Sequence, residues 1–224
     1  MVRRLIFRTA FWLVFVALML FASAGTIDWP GAWAFIAENG VLGLASGLAL
    51  ARSDPELLRE RMAPPIQSAQ KPWDKLLLML LMLAWLAQYV VAGLDHRFQW
   101  SVVPVWLQVA GALAIALALY VFHAVMRANT FAAPVVKIQA ERKHHVVSTG
   151  PYALVRHPMY AGAILLVVGT AFLLGSWLAL LWSLTIVAVL AVRATLEERT
   201  LVNELEGYSG YASRVRYRLV PGVW

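Results

Sequence analysis

The stretch Thr149-Gly-Pro-Tyr-Ala-Leu-Val-Arg-His-Pro-Met-Tyr160 is followed by two apolar runs, 159–174 and 177–192, with a Gly175-Ser176 turn between them. Pro158 suits the first position of a helix, because its missing N–H would have no partner there. The pattern therefore predicts two short helices that form a hairpin. This hairpin returns the chain to the side on which the motif lies.

The composition places the rest of the chain in a membrane as well. Of its 224 residues, 61% are hydrophobic and only 14% are charged, whereas soluble domains are roughly 45 to 50% apolar. Runs of about 20 apolar residues, long enough to cross a bilayer, precede the hairpin at 5–24, 31–51, 76–94 and 102–126. We therefore expect an all-α integral membrane protein with about six transmembrane helices, the last two a short helical hairpin.

Basic residues concentrate on one side of this topology. If the six helices alternate in direction, all but one of the 19 Lys and Arg residues lie on the side where the first helix starts, and Arg97 lies opposite. By the positive-inside rule that side is cytoplasmic, so we expect both termini in the cytoplasm. We also expect the membrane to be a bacterial inner membrane. The net charge of +7 follows from this topology and from attraction to anionic lipid. No nucleic-acid partner is predicted, because no recognisable binding module accompanies the charge.

The chain divides into two parts. Residues 1–126 hold the first four predicted spans, and residues 127–224 hold a polar segment, the hairpin and a predicted C-terminal cytoplasmic helix. Between the second and third spans, residues 52–75 mix charged residues with prolines. This composition predicts a short surface helix followed by a turn-rich linker, which we interpret as a solvated interfacial segment in preference to one with a role in substrate capture.

Two polar clusters flank the hairpin. His157 and Tyr160 are three residues apart and share a helical face, while Arg193 and Glu197 share another at a spacing of four, with Glu198 beside them. Because the hairpin brings the chain back to the same surface, these clusters are predicted to line one pocket. The free amides at the helix start can receive an anionic group.

The remaining ionisable residues give weaker signals. His144 and His145 are adjacent and would point apart, and no third ligand lies at suitable spacing, so no metal site is predicted. The absence of cysteine excludes disulfides and thiolate catalysis. Inside the second and fourth spans lie Glu38 and His123. His123 suits an interhelical hydrogen bond, whereas the role of Glu38 is left open.

From residue 139 to residue 224 the sequence resembles the isoprenylcysteine carboxyl methyltransferase family, membrane enzymes that use S-adenosylmethionine. The resemblance rests on the order of the Gly-Pro-Tyr turn, Arg-His-Pro-Met-Tyr, the hairpin, Arg-x-x-x-Glu-Glu, and the closing Tyr-x-x-Tyr and Leu-Val-Pro. It implies a cytoplasmic cofactor pocket built by the C-terminal half, residues 127–224. The implied cofactor contacts are Gln139, His144, His145, Val146, Val147, Tyr152, His157, Pro158, Met159, Tyr160 and Glu197. Lys137 competes with Gln139 for its position.

The same resemblance implies catalytic roles for Arg193 and Glu197, and substrate contacts from Arg193, Arg156 and Glu198. The expected reaction is methyl transfer from S-adenosylmethionine to a lipidic acceptor from the bilayer, foremost a carboxylate of an isoprenylcysteine-like molecule. A phospholipid or other amine is an alternative acceptor, for which Glu198 or His157 would serve as base. Membrane sterol-type reductases that use NADPH carry a similar Arg-His-Pro-x-Tyr, and a lipid-binding protein without activity is a third alternative.

Overall fold

The computed structural model describes residues 1–224 as eight α-helices and two single 3-10 turns, without strands. Five helices are long and apolar enough to cross a membrane, and α6 is shorter. The predicted all-α membrane fold is thus confirmed. The helices are α1 (Val2–Ala24), α2 (Pro30–Ser53), α3 (Pro55–Arg61), α4 (Pro72–Phe98), α5 (Val105–Ala128), α6 (Pro158–Leu173), α7 (Trp177–Glu204) and α8 (Tyr208–Arg214).

The predicted hairpin is formed by α6 and α7. The chain turns at Gly175, whose φ of +75° lies in the left-handed region that glycine adopts without strain. Ser176 then caps α7, because its hydroxyl accepts a hydrogen bond from the Ala179 amide at 2.9 Å. The second helix is longer than expected and continues beyond residue 192 to Glu204. The Arg193 cluster therefore lies on the last turns of the same rigid helix.

A close approach between α5 and α6 fixes the position of the hairpin. A Cβ atom built on Gly111 would lie 2.6 Å from the backbone nitrogen of Leu173, and one on Gly169 would lie 2.8 Å from the carbonyl oxygen of Gly111. Small residues allow helix backbones to come this near in a membrane, where packing replaces the hydrophobic effect. The pair holds α6, and with it the Arg-His-Pro motif, against α5.

Side-chain hydrogen bonds join the other helices. The Gln88 amide on α4 donates to the Val167 carbonyl of α6 at 2.8 Å and to the Ser183 hydroxyl of α7 at 2.9 Å. Ser46 of α2 is hydrogen-bonded to His123 of α5 at 3.0 Å. The predicted interhelical role of His123 is confirmed.

The segment 52–75 forms the predicted short helix, α3, followed by a linker, but it is not merely solvated. Leu57 and Leu58 are buried in a small core with Leu5 and Leu50, and Asp74, at the start of α4, has no exposed surface. The interfacial interpretation is wrong for these residues. The segment turns its apolar side inward and becomes part of the wall around the site.

Candidate functional site

A cavity of about 490 Å³ lies where the two polar clusters meet. Its polar end, at the basic end of the helix bundle, is lined by Arg61, Asn129, Tyr152, Glu197 and Tyr208. Its apolar arm runs between the helices and is lined by Leu78, Leu81, Met82, Trp85, Leu86, Ala163 and Leu166. One cavity thus joins charged groups to a hydrophobic channel.

The structure brings most of the predicted site residues together around this cavity. Gln139 and Glu198 are not among the lining residues. The N-terminal half also contributes to the wall, through residues on each of α1 to α5, so the C-terminal half does not build the pocket alone. The predicted residues that line it are His144, His145, Val146, Val147, Tyr152, Arg156, His157, Pro158, Met159, Tyr160, Arg193 and Glu197.

Arg193 is held by a carboxylate that the sequence did not point to. Its Nε donates to Asp74 Oδ1 at 2.7 Å, and its Nη2 donates to the Pro134 carbonyl at 2.7 Å. The other oxygen of Asp74 accepts from the Gln70 amide and from the Val136 backbone N–H, both at 2.8 Å. Arg193 is therefore oriented from one side, and its Nη1 makes no hydrogen bond.

Sequence reasoning missed Asp74, because an acidic residue in the first turn of a helix is commonly explained by the helix dipole. Its complete burial requires a partner instead, since a buried charge is costly unless it is paired.

Glu197 faces the cavity without a cationic partner. Its carboxylate accepts a hydrogen bond from the Tyr160 hydroxyl, and no ion pair joins it to Arg193, its neighbour at helical spacing. The Arg193 guanidinium lies 5.4 Å from the centre of the Tyr160 ring, and that ring stacks on His157 with centres 5.6 Å apart. Tyr160 thus separates the cation from the carboxylate and leaves the negative charge available to a ligand.

Glu198 belongs to the support of the site. It pairs with Arg156 at 3.1 Å and with Arg218 at 2.8 Å, while His157 Nε2 lies 3.6 Å away, beyond hydrogen-bonding distance. Arg156 also donates to the carbonyls of Val215 at 2.8 Å and of the next residue at 3.0 Å. Although Arg156 lines the cavity, its donors are occupied by Glu198 and by the C-terminal segment, residues 215–224.

That segment also holds the Arg-His-Pro motif by its backbone. The amides of Arg156 and His157 donate to the carbonyls of Tyr217 and Arg218, each at 2.9 Å. Leu219, two residues before Pro221, is buried in the core between α4, α6 and α7. The closing residues therefore pin the start of α6.

Gln139 stabilises the loop behind the cavity wall. Its side-chain amide donates to the Phe131 carbonyl at 2.9 Å, and its carbonyl oxygen accepts from Arg142 at 2.7 Å. The side chain is almost fully buried. Lys137, the competing residue, does line the cavity and pairs with Glu60 at 2.7 Å.

Burial shapes the electrostatics of the polar end. It lowers the pKa of His144 to about 4, helped by the nearby charges of His145 and Arg142, so this histidine is neutral at physiological pH. Burial also raises the pKa of Tyr152 well above its ordinary value, and its hydroxyl accepts from the Asn129 amide at 2.8 Å. The buried hydroxyl of Tyr208 has no hydrogen-bond partner. These groups are neutral hydrogen-bonding partners rather than charges.

The fold and this cavity define a class of protein: a multi-pass helical membrane protein with a site that is polar at the basic end and apolar within the bundle. Residues 106–207 match the phospholipid methyltransferase family. Over 94 residues the chain is also 34% identical to Protein-S-isoprenylcysteine O-methyltransferase of Schizosaccharomyces pombe, a match that covers 41% of this chain and 40% of the relative. The predicted resemblance to membrane methyltransferases is confirmed over this part of the chain.

The family match contains all of α5 except Val105 and the whole of α6 and α7, and with them Arg193 and Glu197. Arg61, Asp74 and Trp12, the residue of α1 that borders the cavity, lie outside the match. The part of the site that residues 1–105 contribute is therefore described by the structure and not by the family match.

Proposed function

We propose that this protein transfers a methyl group from S-adenosylmethionine to the carboxylate of a lipidic acceptor, such as an isoprenylcysteine-like molecule. The proposal is carried by one observation. Glu197 and Arg193, of opposite charge and not paired with each other, line a single cavity whose other part is apolar.

The polar end fits the methyl donor. S-adenosylmethionine carries a cationic sulfonium and an amino group, which suit the unpaired carboxylate of Glu197. Its ribose hydroxyls need hydrogen-bond partners, and the unsatisfied hydroxyl of Tyr208 is one such group. When bound, the donor supplies a methyl group that its sulfonium leaving group has already activated. The protein then has to align the acceptor and exclude water.

Arg193 suits the acceptor. Its planar, permanently charged guanidinium can hold a carboxylate through two parallel hydrogen bonds, and its Nη1 is not engaged by the protein. A carboxylate is ionised at neutral pH and needs no base. An amine would have to lose a proton to a base. Glu198 is occupied by two arginines, whereas His157 lines the cavity with its Nε2 free of hydrogen bonds and is the remaining candidate base. A carboxylate is preferred because Arg193 can hold it without any proton transfer.

The apolar arm suits a hydrocarbon chain. Its lining residues on α4 extend from Leu78 to Tyr89, about 16 Å at the rise of an α-helix. Trp12 of α1 and Met82 of α4 border the arm and are 47% and 46% exposed, so the arm reaches the lipid-facing surface between these helices. We propose that the acceptor enters there from the bilayer.

The methyl donor would reach the polar end from the cytoplasm. The positive-inside rule assigns the basic end of the bundle to that side, and we propose that both termini lie there. We further propose a bacterial inner membrane as the location of the chain.

Calorimetry on the detergent-purified protein tests the donor site. We expect binding of S-adenosylhomocysteine, the demethylated product, and a loss of S-adenosylmethionine affinity of about ten-fold or more in Glu197→Gln, because a hydrogen bond to a charged group contributes about 1.5 to 3 kcal/mol. Glu206→Gln, an exposed position beyond α7, is the matched control.

Thermal shifts with both cofactors separate the alternatives. A shift by NADPH and none by S-adenosylhomocysteine would indicate a reductase. If neither compound binds and Glu197→Gln changes nothing, the protein is a lipid-binding protein and the proposal is wrong.

A further inference from the structure

Arg61, the last residue of α3, lines the polar end of the cavity. Its Nη1 donates to the Ala132 carbonyl at 2.8 Å. Its Nε and Nη2 make no hydrogen bond, and it has no carboxylate partner. The residue lies in the segment 52–75, outside the family match, where the sequence favoured a solvated interfacial role over substrate capture.

The other cations of the cavity wall are all paired. Lys137 is 2.7 Å from Glu60, Arg156 is 3.1 Å from Glu198, and Arg193 is 2.7 Å from Asp74. Burying a charge without a partner is costly, and burial accordingly lowers the pKa of Arg61. An unpaired guanidinium with free donors in a cavity wall is thus complementary to an anion brought by a ligand.

The position of Arg61 relative to Glu197 indicates which class of ligand carries that anion. The charges of both residues act on Tyr152, where Glu197 raises and Arg61 lowers the pKa of the phenol within the larger rise caused by burial. Arg61, Tyr152 and Glu197 line the same cavity, and no ion pair joins the arginine to the carboxylate. This arrangement complements an α-amino acid, which carries one ammonium and one carboxylate.

We propose that Arg61 is an anion-binding residue of the cavity and that it binds the carboxylate in the amino-acid moiety of the methyl donor. The inference rests on the proposed function for the identity of the ligand. The guanidinium would hold the carboxylate through Nε and Nη2 while Nη1 keeps Ala132 in place. A carboxylate or phosphate on the acceptor headgroup has the same chemistry, and the experiment has to distinguish these two sources.

Calorimetry with three probes makes that distinction. S-adenosylhomocysteine carries the amino-acid moiety, 5′-methylthioadenosine lacks it, and dodecyl phosphate represents an anionic lipid headgroup. In Arg61→Gln we expect S-adenosylhomocysteine to bind about 10 to 100 times more weakly, the range for a lost hydrogen bond between charged groups. Binding of 5′-methylthioadenosine and dodecyl phosphate should be unchanged.

Arg59→Gln is the matched control, because Arg59 is exposed on the same helix. If Arg61→Gln does not fold, Arg61→Lys replaces it. That variant keeps the charge but loses the fork, and should weaken S-adenosylhomocysteine alone by several-fold.

The other outcomes overturn the assignment. If Arg61→Gln loses affinity for dodecyl phosphate alone, the anion that Arg61 binds belongs to the acceptor and not to the methyl donor. If Arg61→Gln binds all three probes with wild-type affinity, Arg61 takes no part in ligand binding, and the proposed function is unaffected. If the wild-type protein binds neither nucleoside, the proposed function fails, and the dodecyl phosphate titrations alone decide whether Arg61 binds an anion.

Discussion

Arg193 donates a hydrogen bond from Nε to Asp74 Oδ1 at 2.7 Å, although 119 residues separate the two in the sequence. The pair joins the first turn of α4 to the second half of α7, and both side chains are buried. Through its second oxygen, Asp74 also holds the Val136 amide. A single carboxylate thus fixes both the arginine proposed to bind the acceptor and the loop beside it.

Asp74→Asn should impair methyl transfer without removing the donor site. The amide keeps an acceptor for the Val136 N–H but leaves the Arg193 guanidinium without its charged partner, and breaking a buried pair costs about 3 to 5 kcal/mol. We expect kcat/KM to fall by about 10 to 100-fold and S-adenosylhomocysteine affinity to change little.

Methyl-transfer kinetics and calorimetry measure these two quantities. Asp28→Asn, an exposed position at the opposite end of the bundle, serves as the control. An equal loss of donor affinity would show that Asp74 shapes the whole cavity and not the Arg193 side chain.

Ala163→Phe should block the apolar arm. Ala163 is buried on α6 and lines the arm, so a phenyl ring there would occupy the space proposed for the hydrocarbon chain. The KM for a lipidic acceptor should rise by about ten-fold or more, the range that pocket filling gives in hydrophobic sites. Donor affinity should stay at the wild-type value.

Steady-state kinetics over acceptors of increasing chain length tests this expectation, and Val41→Phe on the exposed surface of α2 is the comparison. An unchanged KM for every chain length would exclude the arm as the acceptor channel.

Gly111→Ala should destabilise the protein by about 1 to 3 kcal/mol, the usual range for overpacking. The added methyl group would lie 2.6 Å from the Leu173 backbone nitrogen and 2.7 Å from the Gly169 carbonyl oxygen, neither of which can rotate away. Gly43→Ala provides the control, because a Cβ there meets nothing within 4 Å. Thermal unfolding in detergent should show a lower midpoint for Gly111→Ala alone, and equal midpoints would contradict the close approach of α5 and α6.

His144 should make stability depend on pH. Burial lowers its folded pKa from 6.5 to about 4, so between these values the unfolded chain binds a proton that the folded protein does not. The stabilising contribution of neutral His144 to the free energy of unfolding is fully present above pH 6.5 and is lost as the pH falls toward 4.

Replacing His144 with Gln removes this titration, so the unfolding midpoint of His144→Gln should fall less than that of the wild type between pH 6.5 and 4. Lys143→Gln, at an exposed position in the same loop, provides the control variant. Parallel pH profiles for the wild type and His144→Gln would show that His144 titrates normally.

Much of the framework could be predicted from local patterns. The apolar runs indicated the spans because a membrane demands about 20 apolar residues per helix, and the Gly175-Ser176 turn indicated the hairpin. The placement of Tyr152 and Glu197 on one cavity followed from that hairpin. Helical spacing, however, pairs Arg193 with Glu197, whereas the protein pairs Arg193 with Asp74.

The segment 52–75 shows why the remaining half of the site could not be predicted from the sequence. Residues 52–75 have the composition of a solvated segment, yet they supply Arg61 to the cavity and Asp74 to Arg193. Glu198 and Gln139 fit the expected pattern of site residues but support the site from behind. Composition indicates how polar a segment is, but it does not indicate which distant residue provides the hydrogen-bond or charge partner of each polar group.

The sequence by itself determined that this chain crosses a membrane, that its basic loops lie on one side, and that two polar clusters meet around the last hairpin. These features depend on hydrophobicity, charge and helical spacing, which act over neighbouring residues. Only the tertiary structure decided which carboxylate holds Arg193, which cation stands unpaired beside Tyr152, and where the apolar arm meets the surface. Those relationships join residues more than fifty positions apart, and they arise because buried charges must find partners wherever the packing of the helices places them.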